Sequence, residues 1–198
     1  MQAALITGAG SERGIGRATA RVLAERGFAI AILDIDEISA KRVAEELQNN
    51  FGVSAIGLPC NVTDEASVDA AVTKVEAALP PLTALINNAG ITSPTRFLDI
   101  APAEWQKLFD VNVLGVYLVT QRVLRGMAAR TYGRIVNLSS VSAERGGGVF
   151  GGAHYSATKG AVLGLTRAVA REFAALGITS NAVAPGLIDT DITGGALV

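Results

Sequence analysis

The length, composition and charge of the chain exclude several classes of protein. Its 198 residues, 49% of them hydrophobic, are enough for one domain with a substantial core and too few for two domains of ordinary size. Because 17 basic residues face 18 acidic ones, no charge excess argues for binding a nucleic-acid backbone, and the single Cys60 rules out an internal disulfide. No apolar run has the length of a membrane helix and no signal peptide is visible, so we expect a cytoplasmic protein.

Short apolar runs alternate with segments of helical periodicity along the chain. Continuous apolar runs are typical of parallel strands that are buried on both faces, and six of them occur, at residues 3–7, 28–33, 53–58, 83–87, 134–139 and 178–184. Helical patterns lie between them, and the two longest cover residues 103–130 and 153–176. We therefore predict one α/β domain over residues 1–198, built on a doubly wound parallel sheet of six strands.

The first predicted strand runs into a glycine-rich turn, TGAGSERGIG at residues 7–16, that opens the first helix. Glycine lets the backbone approach a pyrophosphate closely, and a helix N-terminus offers N–H groups to an anion. A simple tight turn is the alternative, but the position between the first strand and the first helix favours a dinucleotide site. The candidate cofactor-binding residues of this turn are Gly8, Ser11, Arg13, Gly14, Ile15 and Gly16.

The end of the second predicted strand bears on the choice between NAD and NADP. Asp34 follows Gly16 by eighteen residues, where a carboxylate can accept hydrogen bonds from the adenine ribose and repels a 2′-phosphate. The alternative is a solvated aspartate at a strand end, followed by Asp36 as a helix cap. Arg13 argues for NADP, because a guanidinium there could pair with a 2′-phosphate. We expect NAD as the cofactor, with NADP as the alternative.

The last long helical segment carries Tyr155 and Lys159 in the sequence YSATK. Residues four apart share a helix face, so the ammonium group can lie near the phenol. A free phenol has a pKa of about 10, too high for efficient acid–base chemistry at neutral pH. A positive charge at about 4 Å would lower that pKa by about three, less the opposing effect of burial. An ordinary exposed pair at this spacing is the alternative.

Further motifs follow in a characteristic order: NNAG at 87–90, Asn112, NLSS at 137–140 and NAVAPG at 181–186. With the glycine-rich turn and YSATK, they resemble the single-domain branch of the short-chain dehydrogenase/reductase family over nearly the whole chain. The resemblance implies an NAD(P)-dependent oxidoreductase that interconverts a secondary alcohol and a ketone, with the hydride on the cofactor. A 3-oxoacyl thioester and a small secondary alcohol are the leading substrate hypotheses. A dinucleotide-binding module with weak or no turnover is the alternative function.

The resemblance also implies roles for individual residues. Tyr155 would pass a proton to or from the substrate oxygen, and Lys159 would lower the pKa of Tyr155 and bond the nicotinamide ribose. Ser140 would hydrogen-bond the substrate carbonyl, with Ser139 as the competing assignment, and Asn112 would hold a water of a proton relay behind Lys159. The remaining implied cofactor contacts are Asn61 and Val62 at the adenine, Asn88, Ala89 and Gly90 along the adenosine, and Pro185, Gly186, Ile188 and Thr190 at the nicotinamide.

Three local features depart from the family pattern. The phosphate turn is two residues longer than usual across residues 9–13. Asn61 stands where an aspartate is usual, although its amide oxygen can still accept a hydrogen bond from the adenine amino group. The interval between Ser140 and Tyr155 is also two residues longer, and the glycine run 146–148 can absorb the extra length as a bulge.

A fourth departure concerns the end of the sequence. Family members continue past Val198 through a helical lid and one more strand, so we expect the seventh, edge strand to be absent and turnover to be impaired if 198 residues are the whole molecule. Family members also associate, and we expect a homo-oligomer through the helices near 103–130 and 153–176.

Two residues beside the predicted catalytic group have simpler interpretations. His154, the single histidine, points about 100° away from Tyr155 on a helix, which favours a structural role. Phe150 either forms a wall of the pocket or is buried without a function.

Overall fold

A computed structural model describes residues 2–148 and 150–193. Within that part of the chain, six parallel strands form one sheet in the order β3-β2-β1-β4-β5-β6. The strands are β1 (Ala3–Thr7), β2 (Ala29–Asp34), β3 (Ala55–Pro59), β4 (Leu82–Asn87), β5 (Gly133–Leu138) and β6 (Ile178–Val183). The strand order reverses between β1 and β4, which is where a doubly wound sheet opens a crevice for a ligand. The predicted fold class is confirmed.

Helices connect the strands and cover both faces of the sheet. Those described are α1 (Ile15–Glu25), α2 (Glu37–Phe51), α3 (Glu65–Ala78), α4 (Pro102–Phe109), α5 (Gly115–Ala129), α6 (Ser142–Arg145) and α7 (Ala153–Phe173). Asp36 caps α2, as the sequence suggested, because its side chain accepts from the backbone N–H groups of Ile38 and Ser39. Over the described residues, no helix is both long enough and apolar enough to cross a bilayer.

The central strands separate two apolar cores. Every residue of β1 is buried, and its side chains alternate between the two faces of the sheet. Leu5 belongs to the core under α3 and α5, whereas Ile6 belongs to the core under α1 and α2. Burial on both faces makes this part of the sheet a rigid support for the loops at the carboxyl ends of its strands.

The prediction that all six runs are buried on both faces is wrong for β6. Ile178 and Ser180 are buried, whereas Thr179, Asn181 and Val183 are exposed. The alternation arises because β6 lies at an edge of the described sheet and helix α7 packs on one of its faces.

The predicted helical stretch 103–130 is divided by a wider turn. Residues Asp110–Leu114 form a π-helical turn between α4 and α5, in which the N–H of Gly115 donates to the carbonyl of Asp110. Such turns widen a helix locally and often occur at functional sites. This one carries the buried Asn112.

Candidate active site

Two adjoining cavities open at the carboxyl ends of the strands, where doubly wound sheets bind their ligands. The first has a volume of about 610 Å³ and is lined by the glycine-rich turn and the ends of β2, β3 and β4. The second, of about 440 Å³, contains Ser140, Tyr155 and Lys159. Because both are lined by Ile15 and Thr190, among others, they form one continuous cleft.

Nearly all of the predicted site residues line this cleft; the exceptions are Gly16 and Asn112. A Cβ atom on Gly16 would come within 2.5 Å of Nδ2 of Asn88, so this glycine allows α1 to pack closely on the NNAG segment. Within residues 2–148 and 150–193, no group of three or more histidine, cysteine or acidic side chains is placed to hold a metal ion.

The glycine-rich turn is fastened to the end of β4. Gly8 has a φ of +65°, which favours glycine, and a Cβ atom there would come within 2.6 Å of Cα of Ala89. The Nδ2 atom of Asn88 donates to the carbonyls of Thr7 at 3.0 Å and Gly8 at 2.7 Å. At the other end of the turn, Gly14 is the N-cap residue of α1 and has no side chain to cap the helix. The first N–H groups of α1 therefore suit an anion such as pyrophosphate.

The carboxylate of Asp34 is held at the mouth of the first cavity. Its Oδ2 accepts from the N–H of Gly10 at 2.8 Å, and its Oδ1 accepts from the N–H of Asp36 at 3.1 Å. A carboxylate oxygen has two acceptor directions, so each atom keeps capacity for a second hydrogen bond. Asp34 is thus oriented by its hydrogen bond with the glycine-rich turn, and it is half-buried in the cavity wall.

Arg13 is bound by two carboxylates in this structure, and its pairing with a 2′-phosphate stays a prediction. Its Nε donates to Asp191 at 3.1 Å, and one terminal nitrogen lies 3.5 Å from Asp189. The backbone N–H of Arg13 donates to the Asp191 carboxylate at 2.9 Å. The backbone N–H of Asp191 in turn donates to the carbonyl of Arg13 at 2.9 Å. The backbone N–H of Arg13 and its guanidinium hold the pKa of Asp191 below its usual range. The extra length of the turn therefore contacts the segment after β6 across the cleft.

The amide oxygen of Asn61 is also engaged within the protein, and the predicted hydrogen bond from the adenine amino group to that atom stays a prediction. Its Oδ1 accepts from the N–H of Thr63 at 3.1 Å and from Oγ1 of Thr63 at 2.9 Å, which uses both acceptor directions. Val62 is buried in the same cavity wall, next to Cys60. Burial raises the pKa of the Cys60 thiol to about 11, which keeps it neutral.

The two serines at the end of β5 point in different directions. Oγ of Ser139 donates to the carbonyl of Lys159 at 2.9 Å, so it points into α7. Oγ of Ser140 accepts from the N–H of Ser142 at 3.1 Å, and the hydroxyl is hydrogen-bonded to Tyr155. The geometry therefore brings Ser140, rather than Ser139, beside the phenol.

Lys159 lies deep in the same cavity as Ser140 and Tyr155. Its side chain is buried, and Nζ donates to the carbonyl of Leu138 at 2.7 Å. Nζ is 5.6 Å from the centroid of the Tyr155 ring. Burial lowers the pKa of Lys159 to about 8, because removing an ammonium group from water disfavours its charged form.

The expectation that the pKa of Tyr155 lies well below that of a free phenol is not borne out in this structure. Burial raises the pKa of Tyr155, and the hydrogen bond with Ser140 opposes that effect only in part. Lys159 is not among the groups that lower the pKa of Tyr155 here; its Nζ lies 5.6 Å from the ring centroid and donates to the carbonyl of Leu138. Tyr155 is therefore a protonated acid at neutral pH in this state.

Asn112 joins three parts of the site through its side chain. Its Oδ1 accepts from the N–H of Ile91 at 2.9 Å, and its Nδ2 donates to the carbonyl of Ile91 at 2.9 Å and to Oγ1 of Thr158 at 3.1 Å. The amide donors are thus already used within the protein. The π-helical turn holds the NNAG loop against α7, one turn from Tyr155 and Lys159.

The loop before Tyr155 is ordered by contacts that the sequence did not reveal. The carbonyl of Phe150 accepts from Oγ1 of Thr92 at 2.5 Å, and Phe150 lines the second cavity as a wall. Gly146 and Gly147 have φ angles of +82° and +108°, and Gly148 pairs with Gly151 in a narrow antiparallel turn. The bulge predicted in the glycine run would lie at this turn.

His154 is fully buried and contacts the Glu104 carboxylate at 3.2 Å, in agreement with a structural interpretation. Hydrogen bonds from Ser93 and Thr95, and then from His154, lower the pKa of Glu104 to about 2. The Glu104 contacts therefore fasten α4 and the loop after β4 to the first turn of α7. This role of Glu104 could not be predicted from the sequence, because the residue belongs to no recognisable motif.

Comparisons with known proteins agree with this geometry. A family model described as short chain dehydrogenase matches residues 2–196. An uncharacterised short-chain type dehydrogenase/reductase of Sinorhizobium fredii is 50% identical over 194 residues, covering 98% of this chain and 77% of that protein. A 3-oxoacyl-(acyl-carrier-protein) reductase of Aquifex aeolicus is 42% identical over 184 residues, covering 93% of this chain and 73% of that protein.

A solved structure gives the same result. The chain superposes with a TM-score of 0.88 and 35% identity on a 3-oxoacyl-(acyl-carrier-protein) reductase of Brucella melitensis with bound NAD, over 96% of this chain and 72% of that one. Sequence, fold and motif order agree along the described residues. The chain belongs to the short-chain dehydrogenase/reductase family of NAD(P)-dependent oxidoreductases.

Proposed function

We propose that the protein interconverts a secondary alcohol and a ketone with NAD, and that Tyr155 exchanges the proton with the substrate oxygen. The observation that carries the proposal is the shared cavity of Ser140, Tyr155 and Lys159, which opens directly into the glycine-lined cavity. When bound, the nicotinamide supplies or accepts the hydride.

The residues of the first cavity fit a dinucleotide. Gly8 has no side chain and packs closely on Ala89, so a pyrophosphate could approach the backbone of the turn. The uncapped start of α1 offers N–H groups to the negative charge of the pyrophosphate. Asp34 would accept from the ribose hydroxyls. Pro185, Gly186, Ile188 and Thr190 line the second cavity and would lie along the nicotinamide end.

Proton transfer in this proposal depends on the phenol and its neighbours. Tyr155 is buried and protonated, so it can donate to a carbonyl oxygen as that oxygen gains negative charge. Ser140, bonded to Tyr155, would donate a second hydrogen bond to the same oxygen. The Lys159 ammonium would favour the phenolate that remains after transfer, since opposite charges attract and Lys159 is buried.

The substrate oxygen would be part of a 3-oxoacyl thioester or of a simple ketone. The names of the Aquifex and Brucella relatives support the first. The test is the consumption of NADH, followed by absorbance, with a panel of 3-oxoacyl thioesters and small ketones. NADH binding without consumption for any of them would favour the alternative of a binding module.

The preference for NAD is expected to depend on Asp34. Replacing Asp34 by alanine removes the acceptor for the ribose and the repulsion of a 2′-phosphate, so the ratio of NADPH to NADH dissociation constants should fall by about 10- to 100-fold. Fluorescence titration of both cofactors measures that ratio.

Arg13→Gln is the matched test of the opposing argument. Because Arg13 is bound to Asp189 and Asp191, we expect NADPH affinity to change little in this variant. An unchanged ratio in Asp34→Ala, or a large loss of NADPH affinity in Arg13→Gln, would contradict the assignment of cofactor preference to Asp34.

We also infer a homodimer through α5 and α7. Leu114 and Tyr117, at the start of α5, are 38% and 43% exposed, which leaves apolar surface for a partner helix. Light scattering should give the mass of a dimer, and Tyr117→Glu should shift the equilibrium toward a monomer by placing a charge in the interface. A monomeric wild-type protein at working concentration would be inconsistent with this inference.

A further inference from the structure

The wall of the second cavity carries a cation without a partner. Arg145, the last residue of α6, is exposed and lines this cavity together with Ser140 and Tyr155. Its side chain makes no hydrogen bond or ion pair with residues 2–148 or 150–193. By contrast, Arg13, Arg42 and Arg122 each pair with a carboxylate.

The charges around this cavity have one sign. Among its described lining residues, Lys159 is the other charged side chain, and there is no aspartate or glutamate. Much of the remaining wall is apolar, including Val141, Phe150 and Leu187. A pocket of this kind uses a small number of polar groups to orient its ligand, and here the charged ones select against cations.

A short hydrogen-bonded turn connects the backbone of Arg145 to Ser140. The N–H of Ser142 donates to Oγ of Ser140 at 3.1 Å, and the N–H of Arg145 donates to the carbonyl of Val141 at 2.9 Å. Gly146, with a φ of +82°, ends the turn. Ser140 and Arg145 are therefore held five residues apart in one turn, and both line the second cavity.

We infer that the substrate carries an anionic group, a carboxylate or a phosphate, and that Arg145 binds it at the α6 side of the cavity. The inference rests on the proposed function, since it assigns a substrate class to the same cavity. A guanidinium binds such oxygens through two parallel hydrogen bonds, which orients the substrate as well as retaining it.

The test compares charged and neutral substrates of equal length. The probes are acetoacetate and 4-oxopentanoate, each with its methyl ester, and acetoacetyl-coenzyme A, whose phosphates lie on the carrier. We expect the wild-type kcat/KM to be about 10- to 100-fold higher for an acid than for its ester, mainly through KM. Arg145→Gln should close that gap, and Arg145→Lys should keep part of it, because a lysine retains the charge without the paired geometry.

Arg26→Gln is the matched control. Arg26 is exposed at the end of α1, at the amino ends of the strands and away from the cleft, and the substitution makes the same change in charge. The acid preference should persist in this variant. Dependence on Arg145 for acetoacetyl-coenzyme A alone would place the anion on the carrier, and dependence for the free acids would place it on the substrate itself. Equal use of acids and esters, or an equal effect of Arg145→Gln on both, would overturn the inference.

A binding measurement separates this inference from the proposed function. Calorimetric titration of 4-oxopentanoate and its ester into the NADH complex reports the anion site without turnover. Tighter binding of the acid that Arg145→Gln abolishes would support the site even if no probe is reduced, in which case the proposed function alone would fail. Equal binding of acid and ester would refute the site, whatever the activity.

Discussion

Tyr155→Phe should lower kcat/KM by about 10²- to 10⁴-fold, the usual contribution of a positioned general acid, while NADH still binds. The substitution removes the hydroxyl that is bonded to Ser140 and keeps the ring that fills the cavity wall. Because the pKa of Tyr155 is raised by burial, the wild-type reduction rate should remain flat from pH 6 to pH 8 as far as this group is concerned. Steady-state kinetics and NADH fluorescence measure the two effects separately.

Tyr132→Phe provides the control, since Tyr132 is 38% exposed and stacks under Arg134, outside both cavities. We expect it to retain wild-type kinetics. If Tyr155→Phe kept the same kcat/KM as Tyr132→Phe, Tyr155 would not be the general acid. The family assignment would not be affected by that result.

Lys159→Met should make the protein more stable and much less active. Burial lowers the pKa of this ammonium group from 10.5 to about 8, so at pH 7 it stays protonated and its charged form costs more free energy in the folded state than in the unfolded chain. The difference corresponds to about 3 kcal/mol of unfolding free energy, and an unpaired Leu138 carbonyl would take back about 1 kcal/mol. The net gain at pH 7 is about 2 kcal/mol, whereas kcat should fall on the order of 10²-fold because the charge beside the phenol is lost.

The gain in stability has a defined pH dependence. Between pH 8 and pH 10.5 the unfolded lysine holds more protons than the folded one, so raising the pH stabilises the wild-type protein in that window. Below pH 8 both states are protonated and this group contributes no further dependence. The advantage of Lys159→Met over wild type should therefore shrink between pH 7 and pH 9.5.

Urea unfolding at the two pH values measures this change. The control is Lys74→Met, which removes an exposed ammonium group on α3 and should alter neither stability nor its pH dependence appreciably. A Lys159→Met variant that is less stable than wild type at pH 7 would show that the Leu138 contact outweighs the cost of burying the charge.

The strands and the motif order could be read directly from the residues. A parallel strand covered on both faces, such as β1 or β2, is continuously apolar, and the glycine-rich turn must follow β1 because a glycine is required where Gly8 meets Ala89. The alternating burial of β6 was missed, because a run of small and apolar residues does not say which faces will be covered.

The individual contacts depended on parts of the chain that are far apart in sequence. Arg13 pairs with Asp191, 178 residues away, and the choice between Ser139 and Ser140 depends on how β5 meets α7. The spacing of Tyr155 and Lys159 placed the two groups on one helix, but the direction of each pKa shift is determined by burial. Local patterns encode backbone conformation and periodicity, whereas the charge state and hydrogen-bond partners of a side chain follow from what the fold packs around it.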